Sequence, residues 1–228
     1  MNSDVGTAQA RMDRMYRHQR RIYDITRRYY LLGRKRLLDD LAPPVNGTVL
    51  EVGCGTAYNL VAAARRYPAA RLYGLDISTE MLATARQSVV RHSLEHRISL
   101  AVGDATHFVA SALFDVAMFD RVFTSYTLSM IPGWQGVLEQ MARHIAPGGT
   151  MHVVDFGDCA GLPAIAKFGL YTWLNTFDVE PRQELHAALR DLSSTHRFNV
   201  AFTPLYRGYA QYATLSGDRF STPRSVGG

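Results

Sequence analysis

The sequence has little cysteine, with Cys54 and Cys159 alone among 228 residues. Two cysteines cannot build the disulfide framework on which small exported domains depend. The chain also lacks an uninterrupted apolar run of the roughly 20 residues that a membrane-spanning helix needs, and its first 14 residues lack the apolar core of a signal peptide. We therefore expect a cytoplasmic protein, which could still bind the inner face of a membrane at its periphery.

The composition predicts one ordinary globular domain without a structural metal. A content of 47% hydrophobic and 20% charged residues excludes extensive disorder, and 228 residues suffice for one α/β domain. His92 and His96 lie four residues apart, but no other ligand residue accompanies them. We interpret both as surface histidines and expect no metal site, because a zinc site needs three or four ligands.

The net charge of +5 is unevenly distributed. Residues 1–36 carry ten Arg or Lys against three Asp, whereas the remainder carries slightly more acidic than basic residues. Within a helix predicted over 9–42, a basic residue recurs every seven positions, at Arg14, Arg21, Arg28 and Lys35. This stripe favours an anionic partner such as a lipid surface, nucleic acid or phosphate, and it is equally compatible with a solvated helix face.

From Thr48 onward, short apolar strands alternate with helices. Strands are predicted at 48–52, 71–76, 98–103, 119–125 and 150–157, with helices at 57–67, 78–90 and 134–146 between them. This alternation predicts right-handed βαβ units and a parallel sheet. A helix that starts at Pro181 and an antiparallel strand pair, 198–205 and 208–215, complete the pattern.

The predicted fold is therefore a Rossmann-like, doubly wound α/β domain with a mostly parallel seven-stranded sheet. Residues 1–44 form an N-terminal helical lid that faces the membrane, in which Gly33 interrupts the helix and Pro43-Pro44 ends it. Residues 45–215 form the main domain, and residues 216–228 form a flexible tail.

A glycine-containing loop with acidic partners predicts a nucleotide cofactor. The segment E-V-G-C-G-T-A at 51–57 follows a strand and opens a helix, and Gly53 and Gly55 permit a tight turn that a ligand can approach closely. Asp76 ends the next strand, where an acid accepts hydrogen bonds from a ribose diol. Glu51 would repel a pyrophosphate, but it suits the ammonium group at the methionine end of S-adenosylmethionine.

A third element, G-D-A at 103–105, places Asp104 where it can accept from an adenine amino group and Ala105 where its amide can reach the ring. Over residues 45–157 these elements resemble the class I S-adenosylmethionine-dependent methyltransferases. Ala57 stands in place of the usual third glycine, and we expect the helix to tolerate it. The resemblance implies S-adenosyl-L-methionine as cofactor, with contacts from Tyr23, Arg34, Glu51, Gly53, Cys54, Gly55, Asp76, Ile77, Met81, Gly103, Asp104, Ala105, Ser125 and Tyr126.

The acceptor is expected beyond the fourth and fifth strands, because ligands of open α/β sheets bind at the carboxyl ends of the strands. SYTLSMIP at 125–132 and VDFGD at 154–158 lie there. The Asn-Pro-Pro-Tyr type of motif that nucleic-acid amino-methyltransferases carry after the fourth strand does not occur. This argues against a flipped base as acceptor, and we expect no nucleic-acid partner.

Longer segments extend the resemblance to a lipid-modifying family. HQRRIYDITRRYYLLGR at 18–34, SYTLSMIPGW at 125–134, HVVDFGD at 152–158 and the spaced LP, WL and PR pairs at 162–182 resemble the betaine-lipid N-methyltransferases of the BtaB type. The resemblance implies trimethylation of diacylglyceryl-homoserine to diacylglyceryl-trimethylhomoserine, with a partner enzyme that makes the precursor. The apolar segment 161–177 would then contact lipid, although it could equally be a connector that covers the core.

For this reaction we predict Tyr23, Tyr126 and Asp155 as catalytic residues. Aromatic faces stabilise a quaternary ammonium product, and an adjacent carboxylate or phenol can receive the proton of the amine. The predicted substrate contacts are Tyr30, Ser129, Phe156 and Trp173. Two alternatives stay open: a methyltransferase for a soluble small molecule or a quinone, and a non-catalytic cofactor-binding scaffold at a membrane or RNA.

Overall fold

The structure is a computed structural model that describes residues 31–177 and 179–217. The helices are α1 (Arg34–Asp40), α2 (Tyr58–Arg66), α3 (Thr79–Arg91), α4 (Ala110–Phe114), α5 (Trp134–Arg143), α6 (Ala164–Asn175) and α7 (Leu185–His196). The strands are β1 (Thr48–Val52), β2 (Arg71–Asp76), β3 (Ile98–Val102), β4 (Phe119–Ser125), β5 (Ile145–Phe156), β6 (Phe198–Leu205) and β7 (Ala210–Gly217). A single 3₁₀ turn, Leu128–Met130, follows β4.

The seven strands form one sheet in the order β3-β2-β1-β4-β5-β7-β6. Strands β1 to β5 pair in parallel, whereas β7 runs antiparallel to both β5 and β6. The strand order reverses between β1 and β4, and ligands of doubly wound sheets bind at such a reversal. The predicted fold class is confirmed.

Helices cover both faces of the sheet because the strands are apolar on both sides. Leu60 of α2 and Leu82 of α3 belong to the core cluster on one face, together with the apolar side of α1. Val137 of α5 and Leu189 of α7 belong to the cluster on the opposite face. This three-layer arrangement leaves the carboxyl ends of the parallel strands accessible along one edge.

Gly33 lies in the turn that precedes the first described helix. It adopts φ 85°, and a Cβ there would lie 3.0 Å from Leu205 Cδ1 and 3.1 Å from Val154 Cγ2. Helix α1 begins directly after it and ends at Asp40, before the Pro43-Pro44 pair. The prediction of one helix over 9–42 is therefore wrong where the structure can test it, and its residues before Leu31 lie outside the described part.

Several boundaries differ from the sequence prediction. Strand β5 begins at Ile145 rather than 150, because Ile145 pairs with Phe119 before a register shift in the ladder. Helix α7 begins at Leu185 rather than Pro181. Strand β7 extends to Gly217, since its polar end pairs with β5 and β6, so residues 216 and 217 belong to the sheet rather than to a tail.

Within the residues that the structure describes, no helix is long and apolar enough to span a lipid bilayer. The same residues hold no group of three or more His, Cys, Asp or Glu that could bind a metal ion. His92 is half-buried with its Nδ1 2.7 Å from the Ser88 carbonyl oxygen, and His96 is exposed.

Arg97 ties the end of α2 to the start of β3. Its Nη1 donates to the Ala64 carbonyl at 2.9 Å, and its Nη2 donates to the Tyr67 carbonyl at 2.6 Å. Nη2 and Nε also reach the Ala70 carbonyl, at 3.1 and 3.3 Å. One guanidinium therefore satisfies carbonyls that the end of a helix otherwise leaves without partners.

Arg97→Lys is expected to lower the free energy of unfolding by about 1–2 kcal/mol, because an ammonium group keeps the charge but its donors all lie on one nitrogen and cannot reach the separate carbonyls that the three guanidinium nitrogens reach. Urea denaturation measures the change. Arg91→Lys, at an exposed position of α3, is the matched control. Equal effects of the two substitutions would contradict the assignment.

Candidate cofactor and acceptor site

Three acidic side chains mark the carboxyl ends of three adjacent strands. Glu51 lies near the end of β1, Asp76 ends β2, and Asp104 follows β3. Neighbouring strands are separated by roughly 4.8 Å, so the row spans roughly 10 Å. This spacing leaves room for an amino-acid group, a ribose and a base side by side, in the order that the sequence predicts.

The glycine loop approaches its neighbours too closely for a side chain. Gly53 has φ 73°, and a Cβ there would lie 2.2 Å from Thr127 Cγ2. The amides of Gly53 and Cys54 donate to the Leu75 carbonyl at 2.8 and 2.9 Å. Gly55 also adopts a positive φ, of 52°. The loop is therefore folded back against β2, where a ligand can contact its backbone.

Asp76 holds this loop through its carboxylate. Oδ2 accepts from the Gly55 amide at 2.7 Å, and Oδ1 accepts from the Ser78 amide at 2.9 Å. Ser78 then caps α3 by accepting from the Met81 amide, as predicted. Each carboxylate oxygen has a second lone pair, so the half-buried Asp76 can also accept from a ribose hydroxyl. Ile77 is half-buried beside it, and Met81 is buried.

Asn59 is a site residue that the sequence reasoning missed. Its Nδ2 donates to Glu51 Oε1 at 2.7 Å, and both side chains are buried. The sequence does contain a signal, because Asn59 lies four residues before the buried Ala63 and is thus a polar residue on the apolar side of α2. Asn59 fixes the orientation of the Glu51 carboxylate.

The adenine end of the predicted site is also ordered by local hydrogen bonds. Asp104 Oδ1 accepts from the amide and the hydroxyl of Thr106, at 2.8 and 2.7 Å. A Cβ at Gly103 would lie 2.5 Å from Leu75 Cδ1, so a side chain there would require the end of the leucine to move. Ala105 is buried beside them. These contacts hold Asp104 at the edge of the sheet.

The structure corrects the expectation for Ala57. Ala57 is not inside the helix but precedes it as the N-cap residue, with φ 61°. This left-handed conformation costs an alanine about 1–2 kcal/mol and favours the glycine that usually occupies the position. The methyl group of Ala57 is fully buried in the core under α2, which offsets part of that cost.

The thiol of Cys54 is buried beside the two acids. Burial raises its pKa well above the usual range, and the nearby charges of Asp76 and Glu51 raise it further. The thiol therefore stays protonated at neutral pH and is not a nucleophile.

Helix α1 lies next to the glycine loop. The guanidinium carbon of Arg34 lies 5.5 Å from the centre of the Tyr58 ring, a residue that opens α2 and that the sequence analysis did not single out. The positive charge of Arg34 also lowers the pKa of Tyr126, against the larger effect of burial. Arg34 therefore lies between the cofactor side and the acceptor side of the predicted site.

Tyr126 and Phe156 form a buried aromatic pair beyond β4 and β5. Their rings are in edge-to-face contact with centroids 4.6 Å apart. The Tyr126 hydroxyl donates to the Leu32 carbonyl, and burial raises the pKa of Tyr126 well above its usual value. Tyr126 is therefore a neutral phenol at physiological pH. Ser125, at the end of β4, is also buried.

Asp155 is fully buried between these aromatic rings and the 3₁₀ turn. Oδ1 accepts from the Phe156 amide at 2.8 Å, and Oδ2 accepts from the Ser129 amide at 3.2 Å. Burial raises the pKa of Asp155 to about 6. The structure thus brings Tyr126, Ser129, Asp155 and Phe156 together, as the sequence predicted.

The remaining predicted residues divide into two groups. Trp173 lies on α6, with its ring in edge-to-face contact with Phe177 at 5.1 Å, and it packs against the same core cluster as Phe156. Tyr23 and Tyr30 lie outside the described residues, so their roles stay predictions.

His152 is a second buried titratable group of β5. Its Nδ1 lies 2.9 Å from the Tyr212 hydroxyl, and its Nε2 lies 2.8 Å from Thr150 Oγ1. Burial lowers the pKa of His152 to about 4. It is therefore neutral at physiological pH and serves the interior hydrogen bonding of the sheet.

Comparison with known proteins identifies the domain. Residues 49–149, which contain the glycine loop and all three acids, match the family model described as a methyltransferase domain. This part of the chain is therefore an S-adenosylmethionine-dependent methyltransferase domain. The predicted cofactor, S-adenosyl-L-methionine, is therefore confirmed, and the acidic row at β1, β2 and β3 is its expected binding site.

Individual methyltransferases cover different parts of the chain. A phosphatidylethanolamine N-methyltransferase from Cereibacter sphaeroides is 33% identical over 59% of this chain and 66% of its own length. A demethylmenaquinone methyltransferase from Listeria monocytogenes is 33% identical over 47% of this chain and 44% of its own length. The chain spans 36–44% of the length of four curated relatives that it matches, including the one from Listeria monocytogenes.

A solved structure supports the same fold. Phosphoethanolamine N-methyltransferase 2 from Haemonchus contortus, in complex with S-adenosyl-L-methionine, aligns with a TM-score of 0.64 over 81% of this chain and 52% of its own, at 16% identity. At this identity the likeness concerns the fold.

Asp76→Ala is expected to weaken S-adenosylmethionine binding at least tenfold, about 1.4 kcal/mol, because it removes both the ribose acceptor and the support of the Gly55 amide. Isothermal titration calorimetry measures the affinity. Asp191→Ala, at an exposed position of α7, is the control. An unchanged affinity of Asp76→Ala would contradict the site.

The two buried groups of β5 affect stability in opposite directions. The raised pKa of Asp155 means that the folded chain keeps a proton that the unfolded chain loses, so its contribution falls as pH rises from about 4 to about 6. The lowered pKa of His152 means that the unfolded chain gains a proton that the folded chain does not, so its contribution falls as pH drops from about 6.5 to about 4.

Asp155→Asn removes the pH-dependent contribution of Asp155 to stability and leaves that of His152. We expect its free energy of unfolding to fall more steeply than that of the wild type as pH is lowered from about 6 to about 4, and His152→Gln to show the opposite change. Urea denaturation across this range tests both. If Asp155→Asn and the wild type lose stability in parallel, the raised pKa of Asp155 is wrong.

Proposed function

We propose that the protein is a lipid N-methyltransferase that acts at the periphery of an anionic membrane and methylates the homoserine amine of diacylglyceryl-homoserine. The product of complete methylation is diacylglyceryl-trimethylhomoserine. The observation that carries the proposal is the exposed apolar side of α6, which follows directly on the acceptor end of β5.

Helix α6 is apolar around most of its surface and little of it is buried. Ile165 is 84% exposed and Phe168 is 73% exposed, while only Leu174 of this helix is fully buried. The Tyr171 hydroxyl donates to the Asp158 carbonyl at 3.2 Å, which ties the helix to the residues just beyond β5. Exposed apolar side chains of this size beside a ligand site are typical of a lipid-facing surface.

The loop between β6 and β7 adds basic and aromatic groups to the same end of the sheet. The Gly161 amide donates to the Arg207 carbonyl at 3.0 Å, so this loop lies against the approach to α6. Tyr206 and Arg207 are exposed there, and Lys167 of α6 lies over the ring of Tyr171. Tyrosine and basic residues beside apolar ones favour binding to anionic headgroups.

The chemistry requires an amine to be aligned and its charge to be accommodated. S-adenosylmethionine supplies the methyl group when it is bound. The protein contributes alignment and exclusion of water at the ends of β4 and β5. The faces of Tyr126 and Phe156 can stabilise a quaternary ammonium by up to about 2 kcal/mol in a dry site. Asp155 supplies the negative charge, because Tyr126 stays a neutral phenol.

The names of two relatives support a lipid amine as the acceptor, and they also suggest a quinone as the alternative acceptor. The relative from Cereibacter sphaeroides is named for methylation of a lipid amine, phosphatidylethanolamine. The relative from Listeria monocytogenes is named for methylation of demethylmenaquinone. Both acceptors reside in membranes, so the lipid-facing surface fits either, whereas the buried Asp155 favours the cationic product of amine methylation.

The full-length protein should transfer labelled methyl groups to diacylglyceryl-homoserine in anionic liposomes, with up to three additions detected by mass spectrometry. Parallel reactions contain phosphatidylethanolamine, demethylmenaquinone or no lipid. Transfer to the quinone alone would replace the proposal with quinone methylation. Absence of transfer to any lipid, with the cofactor bound, would leave a soluble acceptor or a non-catalytic scaffold.

A double variant tests whether the exposed apolar side of α6 binds the membrane. Ile165→Ser combined with Phe168→Ser should lower binding to anionic liposomes about tenfold, because two exposed apolar groups are lost, and leave the cofactor affinity unchanged. Val90→Ser combined with Val109→Ser changes two exposed apolar side chains elsewhere and is the control. Equal liposome binding of the two double variants would contradict a lipid-facing role of α6.

A further inference from the structure

We infer that Arg182 is a positioning residue for the acceptor side of the site, which clamps the 3₁₀ turn Leu128–Met130 and through it orients Asp155. The inference rests on the proposed function, because it assigns a role in presenting the acceptor. The clamp itself can be tested without any acceptor.

The guanidinium of Arg182 is buried and spans the turn. Its Nε donates to the Leu128 carbonyl and its Nη2 donates to the Ile131 carbonyl, both at 3.0 Å. Its Nη1 donates to Glu180 Oε2 at 2.5 Å. The two carbonyls lie at the start of the turn and just after its end, so one rigid side chain fixes the turn on both sides.

Ser129 lies between the two carbonyls that Arg182 binds, and it connects the turn to Asp155. Its amide donates to Asp155 Oδ2 at 3.2 Å. Its carbonyl accepts from the Glu180 amide at 2.9 Å, so the segment that carries Arg182 holds the same residue from the other side. Any shift of the turn would therefore move the hydrogen-bond donor of the Asp155 carboxylate.

Gln211 of β7 closes the network. Its side-chain amide donates to the Phe156 carbonyl at 2.7 Å and to the Arg182 carbonyl at 2.9 Å. Gln211 also pairs with Asp155 in the ladder between β5 and β7. The main chain at Arg182 is thus anchored to the strand end that carries Asp155 and Phe156.

An apolar side chain at this place would not hold the turn. Burying a guanidinium costs free energy, and an apolar side chain fills such a position at lower cost. The fork of an arginine carries its donors on three separate nitrogens, so it reaches the Leu128 and Ile131 carbonyls and the Glu180 carboxylate together. The carboxylate partner, on Glu180, is 77% exposed, so the part of the interaction that is protected from solvent is the one with the turn.

Arg182→Lys tests the clamp, with Arg190→Lys at an exposed position of α7 as the matched control. Hydrogen exchange read by mass spectrometry should be about tenfold faster in the peptide over 126–133, whereas the glycine loop at 51–57 and the S-adenosylmethionine affinity stay unchanged. Unchanged exchange in 126–133, or faster exchange throughout the domain, would overturn the inference.

A second variant tests the same inference independently, in case Arg182→Lys does not fold. Gln211→Met keeps the volume and removes both hydrogen bonds of the anchor, so it should raise exchange in the same peptide without changing the cofactor affinity. If Gln211→Met leaves this peptide protected as in the wild type, the network does not position the turn.

Kinetics with diacylglyceryl-homoserine liposomes supply the functional measurement. Arg182→Lys should lower kcat about tenfold while the KM for S-adenosylmethionine stays as in the wild type, because only the acceptor side loses alignment. An unchanged kcat would overturn the inference. If the wild type methylates no lipid, the proposed function fails, and the exchange experiment still decides on the clamp.

Discussion

The hydrogen bond between the Gly55 amide and the Asp76 carboxylate is the interaction on which the cofactor side depends. It joins the glycine loop after β1 to the end of β2, two elements that only the parallel sheet brings side by side. Because the same carboxylate also accepts from Ser78, it sets the start of α3 as well. One side chain thereby fixes the geometry of a loop, a strand end and a helix start.

The acceptor side uses the same principle with different groups. There the buried carboxylate is Asp155, its donors are the amides of Phe156 and Ser129, and Arg182 restrains the turn that supplies one of them. A buried carboxylate is costly unless donors surround it, so both halves of the site place an acid where backbone amides converge. The two acids differ in exposure, and only Asp155 lies wholly in the interior.

The sequence predicted most of the fold because its signals are local. Apolar strands such as β1 and β2 alternate with amphipathic helices, and the acids that follow them occur at spacings set by strand and loop lengths. The start of β5 could not be predicted in this way, since it depends on pairing with Phe119 across the sheet. The end of β7 likewise follows from its two neighbours and not from its polar residues.

The candidate site could be predicted where the residue type and its place at a strand end together indicate its role. Glu51, Asp76 and Asp104 are acids at strand ends, and their spacing alone places them together. Asn59 and Arg182 were missed because their roles depend on partners eight and more than fifty residues away in sequence. Ala57 was misjudged because only the backbone conformation shows that it precedes the helix.

The close approach of Gly53 to Thr127 has a consequence for how this enzyme family can vary. Because a Cβ at Gly53 would overlap the threonine side chain, the glycine is required by the loop after β4 as well as by any ligand. A change at one of these two positions therefore restricts the other, even though 74 residues separate them. The glycine loop and the loop after β4 therefore constrain each other's sequence, and a redesign of either loop must consider Gly53 and Thr127 together.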